Sequence, residues 1–267
     1  MKIALDPTPF HHSHTLLEFP RVAADLGYKY LQMTPHADLI PFYNHPKADD
    51  ELVGKLKAAC KDTGVEIASV LPVLRWSGPD EDAREAAVRY WKRAIQITVD
   101  LGVQTMNTEF SGRPEKAEES ERAFYRSMEE LLPIIEREGL DVLIDPHPDD
   151  FVEDGLAALR VIRGVNSPPN IGMVYVASHS FHMGNKPLEI MRAAGGQAPL
   201  GARLGHHEPS CLPRPPLHHQ PARQCRPRSP APQDRRRRRE LGRVLWRPEG
   251  DRLPGQGKHR DGLVGFC

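Results

Sequence analysis

The sequence predicts an α/β protein, a (β/α)8 barrel of parallel strands wrapped in helices, on three observations. Strand-like apolar runs alternate strictly with helical stretches through six units between residues 2 and 195, a pattern that yields a parallel sheet with right-handed crossovers. Run after run ends in polar side chains: Asp6, Thr34 and His36, Asn107 and Glu109, Asp145 and His147, Ser178 and His179. Many strands converging on one polar rim is the barrel layout, with its site at the C-terminal strand ends. No Gly-rich phosphate loop follows the first run, which weakens the alternative of an open, nucleotide-binding sheet.

The elements follow in order. Residues 2–7 (KIALDP) form a short apolar run closed by Asp-Pro, and residues 16–26 have helical spacing that stops at Gly27. A strand is predicted over 28–35 and a helix over 51–64, ending on Gly64. Strand 66–72 leads into a long amphipathic helix over 82–100. Strand 103–110 precedes a second long helix, 115–138, whose charged face carries i,i+4 pairs and which stops at Gly139. Strands at 141–148 and 170–179 flank a helix made from DGLAALRVIRGV.

The 267 residues carry 36 basic and 36 acidic side chains, but the balance is an average over two unlike pieces. Residues 196–267 hold 14 Arg and one Lys against six acids, with 11 of the 26 prolines and three of the four cysteines. This piece is about +9 and the body about −9. The segment lacks Ile and Tyr, and cannot bury enough apolar surface to offset its ordering entropy. The expected organisation is therefore an incomplete barrel over 1–195 and an Arg/Pro-rich, low-complexity tail over 196–267. No apolar run reaches membrane-span length, and no secretory leader is readable; the expectation is a cytoplasmic protein. The cysteines have neither metal-ligand spacing nor the density of a disulfide scaffold. Arg235–Arg239 could neutralise phosphates, but with only Trp246 and Phe266 nearby for base stacking, nucleic acid is not the expected partner.

The strand ends Asp-Pro-His-Pro (145–148) and Ser-His (178–179), with Gly184 five residues on, resemble the sugar isomerase and epimerase superfamily, the xylose isomerase-like TIM barrels that also include endonuclease IV. The resemblance covers residues 1 to 195. Within it, the wording from KIALDPTPFHHSH to VLRWSGPDEDAREAA is similar to the barrel subunit of C-glycoside deglycosylases. In the superfamily the fifth strand commonly ends Glu-x-His and the sixth Asp-Thr-Gly-His. A seventh strand with His and Asp, a Gly-x-Gly-Asp loop and an eighth strand then follow. None of these last parts is readable after Gly195. Reading that segment one nucleotide later, with synonymous codons, permits strand, loop, helix and strand in the family's order. The expectation is a frameshifted translation of the last two units, leaving strands one and six as open edges and the product poorly soluble, protease-sensitive after about residue 195 and inactive.

The resemblance implies an enzyme that holds a divalent metal, Mn²⁺ foremost with Mg²⁺, Co²⁺ or Zn²⁺ as alternatives, and removes a proton next to a sugar or keto-sugar carbonyl. It makes Asp145 the first metal-ligand candidate, in place of the family's Glu, and His179 the second. Val176 stands where the family's sixth-strand Asp is expected. His147 lies two residues beyond Asp145 on the same side of an extended segment and is base or ligand. Asp145-Pro146-His147-Pro148 could instead be a rigid turn with Asp145 capping the next helix. Glu109 is a second base candidate, or pairs with Arg113. Substrate contacts are expected from Asp6, His11, His36, Asn107 and His182, with His12 and His14 on the same rim. The expected partners are a sugar or glycoside and a small second subunit or another copy of the chain. Isomerisation or epimerisation, carbon–carbon cleavage of 3-oxo-glycosides, and a catalytically dead binding subunit are the readings this leaves.

Overall fold

The computed structural model describes residues 3–165, 169–184, 186–195 and 204–207, and these carry a single parallel sheet. Its strands are β1 (Ala4–Leu5), β2 (Tyr30–Met33), β3 (Glu66–Val70), β4 (Thr105–Glu109), β5 (Asp141–Asp145), β6 (Ile171–Val176) and β7 (Leu204–His207). They pair in sequence order, β1-β2-β3-β4-β5-β6-β7, and every pairing is parallel. A sheet whose consecutive parallel strands are all neighbours, each joined through a helical crossover, is the barrel arrangement that the alternation predicts.

The helices are α1 (Phe19–Asp25), α2 (Asp50–Thr63), α3 (Glu81–Asp100), α4 (Ala117–Glu138), α5 (Gly155–Gly164), α6 (Ala177–His182) and α7 (Pro187–Gly195). Their ends have local causes. Asp49, Asp80 and Asp154 accept hydrogen bonds from the first-turn amides of α2, α3 and α5, satisfying N–H groups that have no partner within the helix. Asp154 caps α5, so Asp145 is free of the capping role open to it in the sequence. Gly64 and Gly139 end α2 and α4 in the left-handed region, at φ 69° and 65°, where a side chain is disfavoured.

Between sheet and helices lies a close-packed aromatic core. The fully buried rings of Trp76 and Trp91 stack with centroids 4.3 Å apart, and Phe124 meets Trp76 edge-on at 5.4 Å. Trp76 also donates its indole N–H to the Glu109 carbonyl at 3.0 Å, fixing the last residue of β4 from below. The buried Arg84 guanidinium is met by Glu81, Glu130 and Ser127, and Ser127 donates to the Trp76 carbonyl. The core therefore ends in a hydrogen-bonded seat for one rim carboxylate.

Two expectations need correcting. The stretch 170–179 does not run as one strand: β6 ends at Val176 and the chain turns at once into α6, which puts His179 in a helix. Aromatic and β-branched residues carry β6, whereas Ala-Ser-His-Ser lacks that preference. A seventh strand, expected to be lost after Gly195, is formed by Leu204–His207, pairing Met173 to Leu204 through Val176 to His207. The edge of β6 is thus covered. The four-residue LGHH run carries no strand signature, and pairing to a preformed edge overrides its weak propensity. The remaining expectations for the tail, including low complexity and the frameshift, fall outside the described residues.

Candidate active site at the strand ends

The C-terminal ends of β4, β5 and β6 bring four of the sequence candidates together. Glu109 and Asp145 are direct neighbours across the β4–β5 pairing. His147 follows Asp145 by two residues, and its ring meets that of His179 edge-on with centroids 4.6 Å apart. His179, from the first turn of α6, donates its Nδ1–H to Asp145 Oδ2 at 2.9 Å. His147 Nδ1 lies 2.7 Å from the Pro148 carbonyl, which can only accept, so this nitrogen carries the proton. In their neutral forms both imidazoles then keep their lone pair on Nε2, the position a base or a metal ligand needs.

Charge and burial tune the group. Burial pushes the Glu109 carboxyl above its ordinary range; the negative Asp145 and Asp150 add to this, while His147 and His179 oppose it. His179 is held above the usual histidine value, first by its hydrogen bond to Asp145 and less by the charges of Asp145 and Glu109, against its own burial. Glu109 makes no ion pair with Arg113 among the described residues, so the ordinary loop contact open to it in the sequence does not form.

Asp150 is the site's unforeseen residue. It is buried, and its carboxylate accepts the backbone N–H groups of Ser111, of Gly112 at 2.7 Å and of Phe151 at 2.7 Å. Burial raises its pKa against those three hydrogen bonds. The clasp ties the loop after β4 to the loop after β5, and so sets Glu109 relative to Asp145 and His147. Both loops carry backbone in the left-handed region, at Ser111 (φ 56°) and Asp149 (φ 67°), strain of the kind that surrounding structure must hold in place. Gly112 makes the clasp possible, since a Cβ there would stand 2.3 Å from the Phe151 ring and 2.8 Å from Ser120 Cβ. Two adjacent Asp residues after His-Pro announce a turn, but not the three amides that reach one of them.

Asp6, His11 and His36 sit on the β1–β2 side, while Asn107 lies in β4 and His182 in α6. His11 stacks on Phe19 at 5.2 Å, meets His36 edge-on at 5.2 Å, and lies 3.3 Å from Thr34 Oγ1 through Nε2. Burial and then His36 push His11 below the usual histidine value, while Asp6 opposes them. The Asp6 carboxylate accepts the Thr8 N–H at 2.8 Å, and His36 Nδ1 accepts from the Asp38 amide at 3.1 Å. His14 is taken up by Ser13 and Phe10, and His12 is exposed. Asn107 belongs to a polar belt inside the sheet, donating to Gln32 Oε1 at 2.9 Å and Ser69 Oγ at 3.2 Å. His182 is exposed at the far end of α6, apart from the Asp145 cluster.

A cation would find part of a site here. Asp145 Oδ1 is buried and has no hydrogen-bond partner among the described residues, which is unusual unless something else satisfies it. Yet among the described residues no three His, Cys, Asp or Glu side chains are grouped as an ion-binding set. Val176 cannot supply the donor expected of the sixth strand. The described rim fits a divalent ion in part only, with Asp145 and His179 as its donors.

A pH effect follows from the sign of the Glu109 shift. A carboxyl whose folded pKa is raised contributes stability that is present below its unfolded value, about 4.3, and is lost as pH rises through the folded value. Glu109→Gln removes that loss. The variant is therefore expected to gain stability relative to the parent between pH 4, below the unfolded value, and pH 8, measured by urea unfolding at both; an unchanged difference would contradict the raised Glu109.

Comparison with known proteins agrees with the barrel fold. Residues 20–228 match the family model of the xylose isomerase-like TIM barrel. A D-psicose 3-epimerase with D-tagatose from Clostridium cellulolyticum H10 superposes with a TM-score of 0.62 at 17% identity, covering 73% of this chain and 70% of that one. A 3-keto-D-glucoside 4-epimerase from E. coli in its apo form gives 0.61 at 15% identity, covering 78% and 79%. An IolI protein with a bound zinc atom gives 0.54 at 17% identity, covering 72% and 68%. No curated protein matches the chain in sequence. At these identities the superpositions speak for the fold, and the family model for membership. Among the described residues no helix is long and apolar enough to cross a membrane. With its strand order and a family match over most of its length, the chain belongs to the xylose isomerase-like TIM barrel family.

Proposed function

We propose that this protein is a sugar or keto-sugar isomerase or epimerase that moves a proton at the carbon beside a carbonyl. The observation that carries the reading is the pairing of a half-buried carboxyl, Glu109, raised above its ordinary range, with two imidazoles whose Nε2 atoms are unprotonated when the rings are neutral. A carboxyl held above its ordinary range is a stronger base once ionised, and works closer to neutral pH. Glu109 takes the proton from carbon. His147 exchanges a proton with the substrate oxygen through Nε2, its ring fixed by the Pro148 carbonyl. His179, oriented by Asp145, packs edge-on against His147 and holds it in place. Asp6, His11 and His36 line the β1–β2 side of the rim, where hydroxyl groups of a sugar would be met.

A divalent ion, with Mn²⁺ the first choice, would polarise the carbonyl oxygen when bound. Asp145 and His179 would be its donors. The test is a panel of ketoses and 3-keto-glycosides with the full chain, with chelator and after Mn²⁺ is restored. Turnover that falls with chelator and returns with Mn²⁺ supports the reading; turnover indifferent to chelator removes the metal from it.

Val176 favours a second reading, the cleavage of a carbon–carbon bond in 3-oxo-glycosides with a small partner subunit. That reaction shares the proton step and differs in the bond that breaks next. Release of an aglycone from a C-glycoside after 3-oxidation would select it. The protein is proposed to act in the cytoplasm on small molecules.

A further inference from the structure

Where the loops after β2 and β3 meet at the mouth, Arg75 stands outside every network above. Its guanidinium carbon lies 3.9 Å from the centroid of the Tyr43 ring. The side chain is half-buried and makes no hydrogen bond or ion pair among the described residues. A partly buried charge without a counter-ion is uncommon, because desolvation is then uncompensated. The support beneath it is deliberate in its geometry. Tyr43 has φ 54°, a region that tyrosine enters only when held, and its N–H is bound by the Val73 carbonyl at 3.0 Å. Stacking on the ring uses the face of the guanidinium and leaves its in-plane N–H fork for another partner. Arg75 directly precedes the residue that seats Glu109, since Trp76 donates its indole N–H to the Glu109 carbonyl at 3.0 Å.

We propose that Arg75, braced on Tyr43, binds a carboxylate of the substrate, so that the molecule deprotonated at Glu109 is a sugar acid or another carboxylate-bearing keto compound. This rests on the proton-transfer reading above. The chemistry favours a carboxylate over a phosphate. One planar fork matches one carboxylate. The Ser111 and Gly112 amides, which could have joined a phosphate cradle, are already committed to Asp150. Glu109, Asp145 and Asp150 also make the rim unfavourable to a dianion.

The test is calorimetric titration of the full chain with D-glucuronate, D-glucose and D-glucose 6-phosphate, for the parent, Arg75→Gln and Arg75→Lys. D-Glucuronate is expected to bind more tightly than D-glucose. Arg75→Gln should weaken the acid by about tenfold or more without weakening the neutral sugar, and Lys should restore only part, because it lacks the fork. Circular dichroism checks that both variants are folded. The site is overturned if the acid binds no better than glucose, if it gives no binding heat, or if Arg75→Gln leaves its affinity unchanged. Tighter binding of the sugar phosphate overturns the carboxylate assignment. These outcomes need no turnover. Arg75-dependent acid binding without proton exchange would sink the proton-transfer reading alone, and exchange without acid binding would sink this inference alone.

Discussion

Glu109→Gln is expected to abolish turnover, with a loss of at least about a hundredfold in kcat/KM, because the amide keeps the shape of the side chain and removes the base. The seat of the residue survives the change. Trp76 still donates to the backbone carbonyl of residue 109, and the β4–β5 pairing to Asp145 is made by the main chain. Circular dichroism should therefore be unaltered, and at neutral pH the variant should be somewhat more stable, since it buries no carboxylate. Steady-state kinetics on any substrate that the ketose panel identifies measures the loss. Retention of most of the turnover would move the base elsewhere on the rim, with His147 the remaining candidate.

Asp150→Ala should cost about 3 kcal/mol of stability and most of the activity. It leaves the N–H groups of Ser111, Gly112 and Phe151 without their acceptor, two of them in buried backbone, and an unsatisfied buried donor costs about 1–3 kcal/mol. Relief from burying the Asp150 carboxylate offsets part of this. With the clasp gone, Ser111 at φ 56° loses a hydrogen bond that holds it, and the loop that follows Glu109 loses its tie to the one that follows His147. Asp150→Asn keeps one carbonyl acceptor and should lose less stability. Urea unfolding of the two variants measures the difference. An Asp150→Ala protein as stable as its parent would show that water replaces the clasp.

The strands were legible because apolar runs bounded by polar tips carry their own signal, and because Gly64 and Gly139 mark helix ends through a conformation that other residues avoid. The rim candidates Glu109, Asp145 and His147 are legible for a related reason, since position at or just past a strand end puts a side chain at the mouth wherever the fold is a barrel, and His179 follows three residues after the end of β6. What that signal could not contain is the partner of each. The bond from His179 to Asp145 depends on α6 beginning at Ala177, and a six-residue helix directly after a strand leaves almost no periodicity to read. The short α7 was missed for the same cause, and β7 because its pairing with β6, rather than its own residues, makes it a strand. Asp150 and Arg75 were passed over because their importance lies in what reaches them through space, three amides in one case and one aromatic ring in the other.

The central claim is that Glu109 moves a proton at carbon. Solvent exchange followed by NMR in D₂O tests it most directly, with the full chain, restored Mn²⁺ and the ketose or keto-glycoside panel. Deuterium is expected to enter the carbon beside the carbonyl of at least one substrate, and Glu109→Gln to stop the incorporation. Turnover with no deuterium at that carbon, or equal incorporation by the Gln variant, would contradict it.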